Sequence, residues 1–466
     1  MCPSRKLLTF VIFFMILLNG FTQYIKIYDF DDVNGGSPEG SLITDGQYLY
    51  GMTQHGGLST NCLFGDCGIV FRVLPDGTAY EILHDFNEND GSYPKGSLLL
   101  LADSLYGMTY KGGSQDRGTI FKMHKDGSGF TRLFNFSDTN GAFPLGSLIY
   151  IDGLLYGMTM EGGTNEDGVI FSIKTNGTDY EKIHNFDAWI TGNGPYADLI
   201  YDGAYLYGMT YGGGDYDKGA VFKIMPDGTN YTKLLDCYFD IGINPWGSLI
   251  MDSTYLYGMT YNGGENGFGV IFKIKTDGSD HEILHHFNDD FGSHPEGTLL
   301  LYESKLYGVT HWGGTTTDCS FACGVLFSLN TDGSNYSVLH HFNETTGSNP
   351  QGAVIAVPPI LYGMTNQDGA HKVGTIYKFD LTGVSDNGNI GDYTLFPNPF
   401  SNNLTLTGTS SSGTITIYNM LAQIVYQTSA SEGETTIYVG NLPKGGYYFS
   451  YTDVFSRYFR TTLIKM

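Results

Sequence analysis

At 466 residues the chain is longer than one ordinary domain. It carries 24 Lys and Arg against 48 Asp and Glu, a formal net charge of −24, which argues against nucleic acid as a partner because phosphate neutralisation needs a basic surface. With 65 glycines, 35 tyrosines and 30 phenylalanines, and no helical periodicity beyond the N-terminal segment, the composition is that of an all-β protein.

Met1 to about Gln23 reads as a secretory signal peptide. Arg5 and Lys6 form its basic end, Leu7–Leu18 is an apolar run too short to span a bilayer, and Gly20 and Thr22 suit a cleavage region. The next residues, Tyr24–Phe30 (YIKIYDF), match a segment that recurs later as Tyr80–Phe86 (YEILHDF), Tyr180–Phe186 (YEKIHNF), His281–Phe287 (HEILHHF) and Tyr336–Phe342 (YSVLHHF).

A Tyr-Gly-Met-Thr core then recurs seven times about fifty residues apart, at Tyr50, Tyr106, Tyr156, Tyr207, Tyr257, Tyr307 and Tyr362, with Val309 replacing Met in one copy. That period points to a propeller rather than a short-coil solenoid. Each repeat divides into four strands, in the second copy a (Ser97–Leu101), b (Leu105–Thr109), c (Gly118–Met123) and d (Phe130–Phe136). Pairs such as Asp76-Gly77 and Asp126-Gly127 supply the positive φ of the c–d hairpin. A Pro-x-Gly or Pro-x-Ala element precedes strand a each time.

Seven copies of a, b and c are present, but no d strand follows Phe379. The N-terminal Tyr24–Phe30 is the missing one. The expected fold is a seven-bladed β-propeller over 24–381 whose last blade is closed by the N-terminal strand, with Ile25, Ile27 and Phe30 buried. Residues 382–392 (TGVSDNGNIGD) read as a linker. Residues 393–466, with short alternating strands from Leu404 to Lys465, read as a small C-terminal β-sandwich.

The Gly-Gly loop, the GxIFKI run and the Asp-Gly turn together resemble the Gloeo/Verruco-type tandem repeat of secreted bacterial proteins, over roughly Gly40–Phe379. The tail is similar to the C-terminal sorting domain of the type IX (Por) secretion system. The matching residues are Phe396-Pro397-Asn398-Pro399, ITIYNMLAQIVY at Ile415–Tyr426, NLPKGGYYFSY at Asn441–Tyr451 with Gly446 and Tyr447, and Leu463-Ile464-Lys465. Ala422 stands where that family usually has Gly. The resemblance implies a Bacteroidetes-type bacterium, the type IX machinery as partner, and a secreted or outer-membrane-surface destination. It also implies frequent removal of the tail by a sortase-like peptidase.

In an exported protein, Cys62 with Cys67 and Cys319 with Cys323 suggest local disulfides rather than a shared zinc site. Cys237 is left as a buried free thiol. His84, His184, His285 and His340 recur on d strands and read as packing. The acidic loops at Asp31-Asp32, Asn87–Asp90, Asp138–Asn140 and Asn288–Asp290 read as solvated surface, with calcium the alternative. No Ser–His–Asp or paired-carboxylate pattern stands out, so no catalytic residue, metal or cofactor is assigned and the chain is expected not to be an enzyme.

The candidate ligand residues are aromatic. Trp189, Trp246 and Trp312 fall in loops on one face, and Tyr110, Tyr211 and Tyr261 lie just past strand b near it. Such planes suit stacking on sugars or on a surface protein. The expected role is therefore a monomeric, non-catalytic binding propeller for a polysaccharide or protein. The alternatives are a secreted polysaccharide-acting enzyme on the same scaffold, or a structural surface coat.

Overall fold

The computed structural model describes residues 23–465 apart from 60–61, 63–65, 317–322, 384–393, 397–399, 410–411, 420–423 and 454–457. Residues 1–22, which the sequence reads as a signal peptide, therefore lie outside the described set, as do Pro397, Asn398 and Pro399 of the tail motif. Among the described residues, no helix is long and apolar enough to cross a membrane.

The all-β expectation holds. Among the described residues, seven four-stranded antiparallel sheets lie between residues 24 and 380. In the second repeat the strands are Leu99–Leu101, Ser104–Thr109, Thr119–His124 and Thr131–Asn135, paired in that order. Strand a is shorter than its apolar pattern, because Gly96 and Ser97 are used in contacts between repeats.

The repeated core has local reasons. The hydroxyls of Tyr50, Tyr207 and Tyr257 donate to Asp45, Asp202 and Asp252 in the a–b turns, at 3.0, 2.7 and 2.8 Å. Gly107 lies opposite Phe121, and a Cβ there would come 2.5 Å from the Phe ring. Glycine thus lets the ring lie across strand b. Thr109 Oγ1 accepts the Thr119 amide at 3.1 Å and donates to the Lys111 carbonyl at 2.8 Å, pinning the end of strand b. Gly112 takes φ +78 directly over the backbone of Gly91, where any side chain would collide.

Each apolar cluster is shared by two neighbouring sheets. Tyr106, Met108, Ile120 and Phe136 pack against Leu148, Leu155, Val169 and Phe171 of the next repeat. The same pattern joins the two ends of the array, where Phe30, Leu49 and Phe71 share a cluster with Ile360, Tyr362, Met364 and Ile376.

The N-terminal strand does what the repeat count demands. Tyr24–Asp29 forms the fourth strand beside Thr375–Asp380, with Tyr24 opposite Phe379 and Asp29 opposite Thr375. The Tyr24 hydroxyl donates to the Thr346 carbonyl at 2.7 Å. Tyr80, Tyr231 and Tyr336 make the equivalent bond to Asn34, Thr191 and Phe291. One expectation needs correcting: Ile25 is 41% exposed. A bulge between Lys26 and Tyr28 breaks the alternation, so Tyr24 packs toward the sixth repeat, stacked on His340 at 3.8 Å, while Phe30 is buried in the cluster shared with the first.

A belt of hydrogen bonds links the sheets. The amide of Ser41 donates to Ser97 Oγ (2.8 Å), Ser97 to Ser147 (2.7 Å), Ser147 to Asp198 (2.5 Å), Asp198 to Ser248 (2.9 Å) and Ser248 to Thr298 (2.9 Å). Ala353 donates back to Ser41 Oγ at 2.8 Å. Ala353 has no side-chain oxygen to receive the next link, so the belt has one gap. A second series joins the residue before each proline to the preceding sheet, as Tyr93 to Cys67 and Phe143 to Arg117. Ser37 to Val373 carries it from the last repeat to the first.

The tail forms two sheets. One holds Thr394–Phe396, Asn403–Thr409 and Gly433–Tyr438. The other holds Ile424–Ala430, Gly413–Asn419, Gly445–Asp453 and Tyr458–Lys465. Leu404, Leu406 and Ile437 of the first share one apolar cluster with Ile415, Ile417, Phe449 and Leu463 of the second.

Candidate functional site

The Pro-x-Gly elements of all seven repeats converge on one cavity of 250 Å³. Its floor is glycine in six repeats, where the backbones nearly touch, and Ala197 in the fourth. A Cβ on Gly40, Gly96 or Gly247 would stand 2.2, 2.2 or 2.0 Å from the carbonyl oxygen of the corresponding residue one repeat on. A Cβ on Gly352 would stand 2.3 Å from Gly40 O. The middle residue of each tripeptide is therefore presented around the cavity in ring order: Glu39, Lys95, Leu145, Tyr196, Trp246, Glu296 and Gln351.

This ring has two halves. Leu145, Tyr196 and Trp246 are apolar or aromatic, and Glu296, Gln351, Glu39 and Lys95 are polar. On the aromatic side Tyr196 stacks on Tyr211 at 4.7 Å and meets Trp246 edge-on at 4.9 Å. Trp246 lies 5.6 Å from Tyr261, which leads through His294 (4.8 Å) to Trp312 (4.8 Å). On the polar side Lys95 pairs with Glu39 at 3.1 Å and lies 5.1 Å from the Tyr110 ring.

Glu296 is the most perturbed acid. It is 8% exposed and accepts a 2.7 Å hydrogen bond from Gln351 Nε2. Burial pushes its carboxyl up to about 7, with Glu39 adding to the rise. His311 Nδ1 stands 3.4 Å from its Oε2 but is not aimed along a hydrogen bond. Burial lowers that imidazole to about 4, so it is neutral and gives Glu296 no counter-charge. Burial first, and then Glu296, push the Tyr261 phenol up to about 12.

Of the six aromatic residues singled out from sequence, five come together here. Tyr110 and Trp246 line the cavity, and Tyr211, Tyr261 and Trp312 extend the arc. Trp189 does not join them. It is 78% exposed, with no ring contact among the described residues. Sequence reasoning missed Tyr196, Glu296, Gln351, Glu39 and Lys95. The available signal was the variable middle position of the recurring tripeptide, Pro-x-Gly in six repeats and Pro-x-Ala in the fourth.

The other candidates resolve locally. Cys62 and Cys67 are disulfide-bonded, with Cα atoms 5.7 Å apart. Cys323 is also disulfide-bonded, while Cys319 lies outside the described residues. Cys237 is free and buried, its thiol pushed up to about 12 by burial. His84, His184, His285 and His340 stack on Phe130, Tyr231, Tyr336 and Tyr24 of the adjoining d strands, at 3.6, 4.5, 3.7 and 3.8 Å. Asp31 and Asp90 hold their own loops, accepting from Asn34 and Asn87. Among the described residues no group of three or more His, Cys, Asp and Glu could hold a metal ion. In the tail, Lys465 Nζ is buried and donates to the Val439 and Gly440 carbonyls at 2.8 and 2.7 Å. The Tyr447 hydroxyl donates to Pro443 at 2.6 Å, and Gly446 lies in the same strand.

The model of the Gloeobacter/Verrucomicrobia repeat matches residues 11–211 and 191–321, more than half of the chain. The chain belongs to the Gloeobacter/Verrucomicrobia repeat family. Residues 394–465 match the secretion system C-terminal sorting domain. This repeat-family chain is thus a type IX export substrate, destined for the cell surface or the extracellular space. No curated protein matches its sequence. Among solved structures it is similar to the GH74 enzyme of Niastella koreensis, at 14% identity over 96% of this chain and 75% of that one, TM-score 0.47. It is also similar to an oligogalacturonate lyase in complex with manganese, at 11% over 77% and 92%, TM-score 0.47. A nidogen/laminin complex chain gives 14% over 60% and 91%, TM-score 0.39.

Proposed function

We propose that this protein is an exported, non-catalytic carbohydrate-binding propeller. The seven sheets over 24–381 are the blades of one closed ring, the last completed by the N-terminal strand. Residues 382–392 are a linker, and 393–466 a β-sandwich sorting domain. The ligand sits at the mouth of the central cavity. The observation that carries this reading is the divided ring of Pro-x-Gly residues. Tyr196, Trp246 and Tyr261 offer planes for a pyranose face, and Glu39, Lys95, Glu296 and Gln351 offer partners for its hydroxyls.

The test is a binding screen of the secreted full chain against polysaccharides, with and without calcium. Binding is expected to fall at least about tenfold in Trp246→Ala, the scale of losing one buried aromatic anchor, and to persist in Trp189→Ala. A chain that binds no glycan would instead be a protein-binding or coat protein.

One observation favours a second reading. A buried carboxyl held near pH 7 is the form a general acid needs, and Glu296 shares its cavity with Glu39. Polysaccharide cleavage that disappears in Glu296→Gln would replace binding with hydrolysis.

A further inference from the structure

The polar half of the cavity is short of hydrogen-bond donors where it is most buried. The Glu296 carboxylate receives only the Gln351 amide among its described hydrogen bonds. That bond turns Gln351 Oε1 away, and this atom is buried without a partner, as is His311 Nδ1. Two acceptor groups, the Glu296 carboxylate and Gln351 Oε1, therefore lie together beside the cavity, with the His311 ring 3.4 Å from Glu296. With the Gln351 amide its one described hydrogen-bond partner, burial leaves Glu296 partly protonated near pH 7, and a cation seated beside it would displace that proton and pair with the carboxylate. Glu39 has Lys95 and Asp45 has Lys125, but no described Lys or Arg pairs with Glu296.

We infer that the ligand brings the missing cation, and that the carbohydrate recognised here is an amino sugar with a free amine whose ammonium group seats against Glu296. This inference rests on the carbohydrate reading above. An ammonium carries three N–H donors, enough to serve the Glu296 carboxylate and Gln351 Oε1 together, whereas a sugar hydroxyl carries one. Trp246, which lines the cavity, and Tyr261, 5.6 Å from it, supply aromatic rings of the kind that attract a cation. An N-acetylated sugar satisfies neither requirement. Its amide is neutral, supplies one donor, and would set a methyl group beside the carboxylate. The net charge of −24 adds a long-range attraction for a polycationic glycan.

The test is calorimetric titration of the full chain with three matched tetramers: β-1,4-linked glucosamine, its N-acetylated counterpart, and cellotetraose. A lysine tetrapeptide is the fourth probe. The glucosamine tetramer is expected to bind at least about tenfold more tightly than the other two sugars, the scale of one desolvated charge pair. The comparison needs no variant, so it stands whether or not substitutions at Glu296 fold. In Glu296→Gln, checked for folding by its melting curve, the preference for the glucosamine tetramer over its N-acetylated counterpart and cellotetraose should vanish. Equal binding of the three tetramers overturns the amine inference and leaves the carbohydrate reading intact. Absence of binding to all three sugars overturns both. Binding of the peptide at the glucosamine level, with the same dependence on Glu296, transfers the site to lysine side chains and overturns the amino sugar.

Discussion

Single glycines around the cavity leave almost no room for a side chain. A Cβ on Gly96 would be 2.2 Å from Gly146 O, and both sides of that contact are backbone, which has little freedom to yield. Gly96→Ala is expected to destabilise by roughly 1–3 kcal/mol, the usual cost of overpacking, seen as a lower melting midpoint. An unchanged midpoint would mean that the sheets can slide apart at this radius. The glycines themselves were legible in the sequence, but their reason was not. A repeated Pro-x-Gly reads equally well as a turn, and only the spatial convergence of seven copies makes it the lining of a cavity. Glu296 was invisible for the same cause, since its neighbours Gln351 and Glu39 are 55 and 257 positions away in the numbering. Trp189 stands apart from the other five aromatic candidates, 78% exposed and with no ring contact among the described residues.

Strands were the most legible element, because alternation and Asp-Gly turns are local signals. Their stacking across repeats was legible only as repetition. The d strands show what this hid. The histidines at equivalent positions are plates in an aromatic stack that runs from sheet to sheet, and burial lowers His184, His285 and His340 to about 4 each. The ordinary imidazole value is about 6.5, so the folded chain binds fewer protons than the unfolded one between these limits. Their contribution to stability is complete above about pH 6.5 and is lost as pH falls toward 4. Glu296, raised to about 7, works in the opposite direction but is one group against three. The melting temperature should decline on acidification through this window. The triple His→Gln variant should decline less steeply, and parallel curves would sink the assignment.

At the scale of the whole molecule the decisive element is the N-terminal strand. Bringing together ends some 350 residues apart costs roughly 5 kcal/mol of loop entropy plus a constant. Opposing this are ladder hydrogen bonds worth about 1 kcal/mol each and the burial of Phe30 between the first and last repeats. Removing Tyr24–Asp29 should lower the melting temperature sharply and leave the strand Thr375–Asp380 without its outer partner. A melting curve identical to the parent would refute closure through this strand. Strand order and the missing seventh d strand could be counted in the sequence. The contacts that return from the last repeat to the first could not, because they depend on the curvature of the array. The same strand has a mechanical consequence. Thr375–Asp380 is the last strand before the tail, so a molecule held at the surface by its tail takes load there. Without its neighbour that strand would lie at an edge and could peel away one bond at a time. Flanked by Tyr24–Asp29 on one side and Ile360–Thr365 on the other, it can leave only by sliding along two ladders at once. A ligand that is long, fixed and pulled by flow would therefore load the chain beyond Asp380 before it pulled this strand from its sheet.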